Sequence, residues 1–344
     1  MSDKPTKFFI TDFPAFYKIK LFNEISKQIP IFIFFIFSPD QNPKRNKDFF
    51  KEQIAFGYKI LGGVKLKKQI SIIEQYLKQS PSSEIIIDGW DTLLAWYSAL
   101  FFRMQTKSLI VESSVFECKT TGIKGWLKKF FLKFIDRVYV PGISNKKLLE
   151  KLNFKGEIVI TGGVGLYNRQ SHTLKKMKLN TEWVFLYVGR LSPEKNLDWI
   201  INIFSELPQF KLQIVGFGPL ESYLRSIAKE NIVFEGAVDN KELFHYYEKA
   251  DIFVLPSKSE PWGLVVEEAL NVGIPVLVSN KVGCAEQVVE EGKNGCVFEL
   301  NNKENFLQKV KYLTDISNYN EMISYISTID FGKIEKKQIQ SYLR

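Results

Sequence analysis

Short apolar runs alternate with segments of helical period along nearly the whole chain, the pattern of parallel sheets covered by helices on both faces. In the first half, runs at 7–11, 31–37, 54–58, 84–88, 108–112, 137–140 and 157–161 predict strands, with helical periods at 17–27, 66–79, 92–105, 123–136 and 145–152 between them. The alternation restarts with strands at 183–188, 211–215, 232–235, 252–255, 275–278 and 296–298 and helices at 196–207, 219–229, 241–249, 263–272, 285–291 and 303–314. The stretch 162–180 has no period and is rich in glycine, polar residues and lysine (Lys175, Lys176, Lys178), so it reads as a linker. The expected organisation is an α/β domain over 1–165, a linker over 166–182, a second α/β domain over 183–318 and a helical tail over 319–344, free to pack back on the first domain. Ligands of open parallel sheets bind at the carboxyl ends of the strands, so two such Rossmann-like domains facing each other would enclose a cleft there.

Composition narrows the function. A chain of 344 residues exceeds a comfortable single core, which supports two domains. The longest apolar run, 29–37, is interrupted by Pro30 and falls well short of the roughly 20 residues of a membrane span. The N-terminal segment carries Asp3 and Lys4 and runs on to Phe8-Phe9-Ile10 without a secretory h-region, so the expected location is the cytoplasm. Cys118, Cys284 and Cys296 are odd in number and lack metal-ligand spacing, and His172 and His245 are the only histidines. Zinc chemistry and acyl transfer through a serine triad lose their usual material. Charge splits the chain: residues 1–180 hold 30 lysines and arginines against 15 acids, a net +15, while 181–344 hold 17 against 23, a net −6. A basic half suits nucleic acid, anionic lipid or a phosphorylated acceptor, and charge alone does not choose among them.

Three segments in the second half carry candidate chemistry. Val188-Gly189-Arg190-Leu191-Ser192-Pro193-Glu194-Lys195-Asn196 follows a strand and precedes a helix, with Arg190 and Lys195 able to place two cations on a diphosphate and Asn196 in position to cap. The alternative is a surface loop with two solvated cations. Ser257-Lys258-Ser259-Glu260-Pro261-Trp262-Gly263-Leu264 runs from a strand into a helix opened by Gly263, whose N-terminal N–H groups suit an anion. Glu267 fits the helix dipole alone, whereas Glu260 and Glu268, on either side of that helix start, can accept hydrogen bonds from sugar hydroxyls beside a diphosphate. Gly216-Phe217-Gly218-Pro219 is a third strand-to-helix turn and weak by itself.

The motifs GR-x4-KN, GxGP, F-x-G, A-D-I-x-x-x-P-S, E-P-W-G-L-x-x-x-E-A, G-x-P-V, Gly-Cys-Ala-Glu and E-G-x-x-G occur in that order over about 184–299. Together they resemble the C-terminal half of family 4 glycosyltransferases of the GT-B fold. The resemblance implies a nucleotide-diphosphate-sugar donor, retention of anomeric configuration and no bound metal or other cofactor. It implies that Arg190 and Lys195 hold the diphosphate, that Glu260 meets the donor sugar and that Glu268 binds the ribose. Gly263 and Leu264 would support the phosphates through their backbone, and Gly189, Gly216 and Gly218 would line the nucleotide pocket. Trp262, where phenylalanine is commoner, joins this donor-binding set.

The first half resembles the family less. The turn Thr11-Asp12-Phe13-Pro14 lacks the Gly-Gly loop common in such enzymes, and no phosphate role is assigned to it. Glu112, in Val111-Glu112-Ser113-Ser114 at a strand end, is the acceptor-side catalytic candidate beside Arg190, Lys195 and Glu260, against the alternative of an ordinary polar strand end. Residues 122–137 set Trp126, Leu127, Phe130, Phe131 and Phe134 at helical spacing with Lys124, Lys128, Lys129 and Lys133 elsewhere on the wheel. That stripe either covers the sheet or meets an anionic membrane, where a lipid-linked glycan acceptor would be found. The expected enzyme is a hexosyltransferase-like glycosyltransferase on the inner membrane face that binds no nucleic acid. A sugar-nucleotide epimerase of the same fold and a non-catalytic membrane- or nucleic-acid-binding relative are the alternatives.

Overall fold

The computed structural model describes residues 5–41, 50–104, 106–167, 169 and 177–344, so His172, Lys175 and Lys176 lie outside the described residues. Its contacts divide the chain into one unit of Met1–Tyr167 with Gly332–Arg344 and a second of Asn168–Phe331.

The first unit is built on seven parallel strands, β1 (Lys7–Thr11), β2 (Ile31–Phe35), β3 (Gly57–Ile60), β4 (Glu84–Asp88), β5 (Thr106–Ile110), β6 (Arg137–Val140) and β7 (Glu157–Ile160), in the order 3-2-1-4-5-6-7. Helices α1 (Phe16–Ser26), α2 (Leu66–Leu77), α3 (Leu93–Phe101), α4 (Gly122–Leu132) and α5 (Ile143–Lys151) form the crossovers. Strand side chains alternate between faces, which makes the runs apolar throughout rather than half polar. Phe9, Ile33, Phe35, Ile86 and Ile110 join Ile19, Phe22 and Ile25 of α1 and Tyr342 near the C-terminus. Phe8, Ile10, Phe34 and Ile85 pack instead with Ile73, Leu77 and Leu94 of α2 and α3. Lys7 Nζ binds Glu84 Oε2 at 2.5 Å and the Arg344 carbonyl at 2.7 Å, fastening the chain end to the central strands.

The second unit repeats the plan with β8 (Trp183–Val188), β9 (Phe210–Val215), β10 (Ile232–Gly236), β11 (Ile252–Leu255), β12 (Val276–Ser279) and β13 (Gly295–Phe298), all parallel, in the spatial order 10-9-8-11-12-13. Its helices are α6 (Leu197–Phe204), α7 (Glu221–Ile227), α8 (Leu243–Lys249), α9 (Leu264–Asn271), α10 (Ala285–Val288), α11 (Lys303–Leu313) and α12 (Ile316–Ile326). Strand order reverses beside β1 in one sheet and beside β8 in the other, the points where such sheets hold ligands.

Two departures from the expected elements have clear causes. The strand expected at 54–58 begins only at Gly57, because Asn23 of α1 binds the Gln53 carbonyl and the Ala55 N–H, both at 2.8 Å, and keeps that backbone out of the ladder. The tail expected over 319–344 divides. Tyr319 of α12 lies edge-on to Trp183 at 4.9 Å and donates to the Asp251 carbonyl at 3.1 Å within the second unit. Gly332–Arg344, with most of α13 (Phe331–Ser341), belongs to the first unit. Among the described residues no helix is long and apolar enough to cross a membrane.

Candidate functional site

In the second unit, two turns meet where the strand order reverses. Gly189 continues the β8 ladder to Val215, and Leu191 N–H donates to the Phe217 carbonyl at 2.9 Å. A Cβ on Gly216 would lie 1.8 Å from the Gly189 carbonyl oxygen, and one on Gly218 would lie 2.4 Å from that of Leu191. The GxG turn expected to line a pocket is thus glycine-bearing because two backbones touch there. Below it, the buried Tyr187 hydroxyl donates to the Arg190 carbonyl at 2.9 Å and fixes the loop. Asn196 stands in a left-handed conformation before α6 but makes no capping bond, correcting the expected cap; Asn tolerates this backbone better than most residues.

Arg190 is well exposed and meets Glu194 at 3.1 Å. Burial pushes the Glu194 carboxyl up, but Ser192, its own backbone N–H, Arg190 and Lys195 outweigh that and hold it below its ordinary value. Lys195 reaches across to Glu260, both side chains being about 15% exposed. The Glu194 carbonyl accepts from Lys258 N–H at 2.8 Å, so the loops after β8 and β11 are tied through backbone as well as charge. Glu260 is held in turn by the 281–283 turn, where its N–H reaches the Lys281 carbonyl at 3.1 Å and Gly283 N–H reaches its carbonyl at 2.8 Å. Any side chain on Gly283 would come within 1.9 Å of the Pro261 carbonyl oxygen, a requirement that sequence reading did not single out.

Gly263 precedes α9 with φ of 102°, and Leu264 opens the helix whose first-turn N–H groups carry the positive end of its dipole. Trp262 of the expected donor-binding set faces inward. It is 2% exposed and donates through Nε1 to Glu267 Oε2 at 2.7 Å, so its ring anchors the turn from inside. Glu267 likewise serves as the buried acceptor for that indole and not as a dipole charge alone. One position on, about 100° round the helix, Glu268 accepts from the Tyr247 hydroxyl at 2.9 Å. The arrangement offers two cations, a helix N-terminus and two carboxylates at one sheet end, a set suited to a phosphorylated polyhydroxy ligand. Among the described residues no group of three or more His, Cys, Asp or Glu could hold a metal ion.

The sequence profile described as "Glycosyl transferases group 1" matches residues 168–328, the whole region of this site. Over that region the chain is similar to the glycosyl transferases group 1 family. The O-antigen biosynthesis glycosyltransferase WbnH of Escherichia coli is 34% identical over 198 residues, covering 57% of this chain and 56% of that protein. Matched segments span between 30% and 65% of the lengths of this and other curated relatives such as the sulfoquinovosyl transferase SQD2 of Arabidopsis thaliana. The lipopolysaccharide outer core galactosyltransferase WaaB aligns over 98% of this chain and 99% of its own, with TM-score 0.73 at 15% identity. HepE of Anabaena, solved with UDP and glucose, aligns over 98% of each chain with TM-score 0.72 at 14% identity. These likenesses give the GT-B fold, two parallel-sheet α/β domains, as the sequence led us to expect.

The first unit carries a different set at its own switch point. Glu112 meets Lys18 Nζ at 3.0 Å, and Lys18 also binds Asp88. Burial works against the Lys18 ammonium, but Asp88 and Glu112 outweigh it and hold its pKa well above the ordinary value. Thr11 donates to Asp88 at 2.5 Å. Asp12 opens to solvent, yet surrounding protein together with Asp88, Glu112 and Asp91 raises its carboxyl to about 6 against the lowering from Lys18. A small recess next to this cluster is lined by Lys18, Glu112, Tyr139, Thr161, Gly163 and Tyr342. Sequence reading chose Glu112 and passed over Lys18, Asp88 and Asp12; the available signal was an acid just beyond the carboxyl end of a central strand.

The stripe on α4 divides between core and surface. Phe131 and Leu132 are buried, but Ile123 is 80% and Trp126 62% exposed, with Leu127 also outward. Trp126 stacks on Phe130 at 5.7 Å and Phe130 meets Phe134 edge-on at 5.2 Å, an aromatic row along the helix. Lys124, Lys129 and Lys133 are exposed, whereas Lys128 turns in to the Cys118 sulfur at 2.8 Å and the Trp90 ring. Leu93 and Phe101 of the neighbouring α3 are exposed as well. His245 sits on the surface, 3.7 Å from Glu242.

Proposed function

We propose that the chain transfers a sugar from a nucleoside-diphosphate sugar to a glycan acceptor carried on lipid at an anionic membrane surface. The Lys195–Glu260 pair carries the reading, since it brings a cation and a sugar-binding carboxylate from two strand ends to one helix start. A donor diphosphate would share Lys195 with Arg190 and the α9 N-terminus, leaving Glu260 to accept from hydroxyls of the transferred sugar. Glu268 would accept from the ribose.

In this reading the transfer retains anomeric configuration. The acceptor oxygen bonds to the anomeric carbon on the face from which the diphosphate leaves, the bond from that carbon to the phosphate oxygen breaks, and the acceptor proton passes to the departing phosphate. Arg190, Lys195 and the helix end supply the positive charge for the leaving group, a role that a resident divalent ion plays in other phosphate chemistry.

The lipid part of the reading rests on α4. A row of exposed aromatic and aliphatic side chains flanked by lysines suits the headgroup boundary of an anionic bilayer. Each lysine near such a surface contributes about 1 kcal/mol, an attraction that salt screens.

Thermal unfolding with a panel of UDP-, GDP- and ADP-sugars tests the donor, because a ligand of the folded state raises the melting temperature. UDP-sugars come first in view of HepE. No shift with any of them would remove the transferase reading. Vesicle sedimentation tests the surface: the expected result is salt-sensitive binding to anionic vesicles, lost when Lys124, Lys129 and Lys133 become Gln. Equal binding by both proteins, or equal binding to neutral vesicles, would make a soluble acceptor the better assignment.

A further inference from the structure

Tyr247 is almost fully buried in α8, with its ring against Phe253 of β11 at 5.9 Å. A buried hydroxyl needs a partner, and this one has two acceptors in reach, Glu268 Oε2 at 2.9 Å and the Val265 carbonyl at 3.5 Å. A phenol has one proton to donate, and the shorter contact to the carboxylate takes it. Burial, and after it the Glu268 charge, push the phenol pKa well above its ordinary value, so Tyr247 is a donor throughout the working pH range.

Glu268 itself is only half-buried. A long carboxylate at a helix surface samples several rotamers, and a hydroxyl ligand is read with discrimination only when the acceptor is held in one of them. The neighbouring Glu267 is held in the same way by the Trp262 indole. The two adjacent acids thus each have a buried aromatic donor, one locking the turn and the other facing the half-buried carboxylate.

We infer that Tyr247 is a positioning residue that orients the Glu268 carboxylate for the ribose hydroxyls of the donor nucleotide. This rests on the donor reading above and goes beyond it by naming the group outside the ligand site on which ribose recognition depends. The chemistry predicts a selective effect. Removing the phenol hydroxyl loosens Glu268 toward a vicinal diol and leaves the diphosphate contacts of Arg190, Lys195 and α9 as they are.

The test titrates the wild type, Tyr247→Phe and Glu268→Gln with UDP and with 2′,3′-dideoxy-UDP, and follows thermal unfolding of each protein. GDP and ADP with their dideoxy forms replace this pair if UDP is not held. The expected wild type prefers the ribose form. Tyr247→Phe should weaken it about tenfold, as loss of a hydrogen bond to a charged group does, and leave the dideoxy form unchanged. If Tyr247→Phe keeps the wild-type preference while Glu268→Gln loses it, Tyr247 does not position Glu268 and the inference fails alone. If the wild type shows no preference, or Glu268→Gln retains it, the ribose assignment of Glu268 fails and takes the inference with it. Equal weakening of both ligands with a lowered melting temperature would assign Tyr247 a structural role only, and no binding of any nucleotide would overturn the donor reading itself.

Discussion

The two sheets reverse strand order at the same point yet fill that point with opposite chemistry. In the second unit the end of β8 turns through Gly189, its backbone packs on Gly216, and the charges come in opposed pairs, Arg190 with Glu194 and Lys195 with Glu260. In the first unit the end of β1 runs into Thr11 and Asp12, and one buried cation, Lys18, answers Asp88 and Glu112 with Asp12 raised beside them. Topology supplies the position and the side chains supply the chemistry. One end pairs two cations with carboxylates beside a helix start, a set suited to a phosphorylated ligand, and the other carries surplus negative charge suited to hydroxyl groups.

The largest effect should come from the cations of the second unit. Lys195→Ala and Arg190→Ala should each lower turnover on the order of a hundredfold or more, the usual consequence of losing a charge contact in the transition state. Their stabilities should differ. Arg190 is exposed and its pair with Glu194 contributes at most about 1 kcal/mol, whereas Lys195→Ala strips a largely buried Glu260 of its cation and should lower the melting temperature clearly. Turnover and thermal unfolding measured together check both. Wild-type turnover in either variant would take that residue out of the site.

That difference between Arg190 and Lys195 was not legible in the sequence, although both residues were. Periodicity exposed the two α/β repeats because buried parallel strands are apolar throughout, and the glycine turns stood out because close backbone approach excludes every other residue type. What stayed hidden is direction. Trp262 and Glu267 sit inside a motif read for donor binding, and only the packed turn shows that they face each other. Tyr247 lies 21 positions before Glu268 on another helix, beyond any local spacing rule. Asn23 removes the expected start of β3 through bonds over some 30 positions, and the exposure of Trp126 on α4 depends on what the sheet leaves uncovered.

The paired carboxylates give the next effect. Gln at Glu260 or Glu268 keeps the shape and weakens charge-assisted hydrogen bonds, which costs roughly tenfold in affinity. Glu268→Gln should weaken both free nucleoside diphosphate and the sugar donor, while Glu260→Gln should weaken chiefly the sugar donor. Calorimetry with the two ligands separates the roles, and equal losses in both variants would contradict the division.

The smallest effect tests the surplus negative charge of the first unit directly. With its pKa raised to about 6 from an ordinary 3.8, Asp12 binds its proton more tightly in the folded chain than in the unfolded one. Stability from this group is therefore fully present below about pH 4, declines as pH rises through 6 and stays lost above that. Asn mimics the protonated carboxyl, so Asp12→Asn should be more stable than the wild type at about pH 7.5 and indistinguishable from it at about pH 4. The full shift would correspond to nearly 3 kcal/mol, but the side chain opens to solvent and screening reduces the expected gain to about 1 kcal/mol. Glu260→Gln is the control from the other sheet end: it removes a paired carboxylate and should destabilise at neutral pH. Chemical denaturation of both variants at the two pH values decides the matter. A gain at Asp12 that persists unchanged at low pH would point to repacking instead of charge, and no gain at either pH would mean that Lys18 compensates Asp12 as fully as Lys195 compensates Glu260.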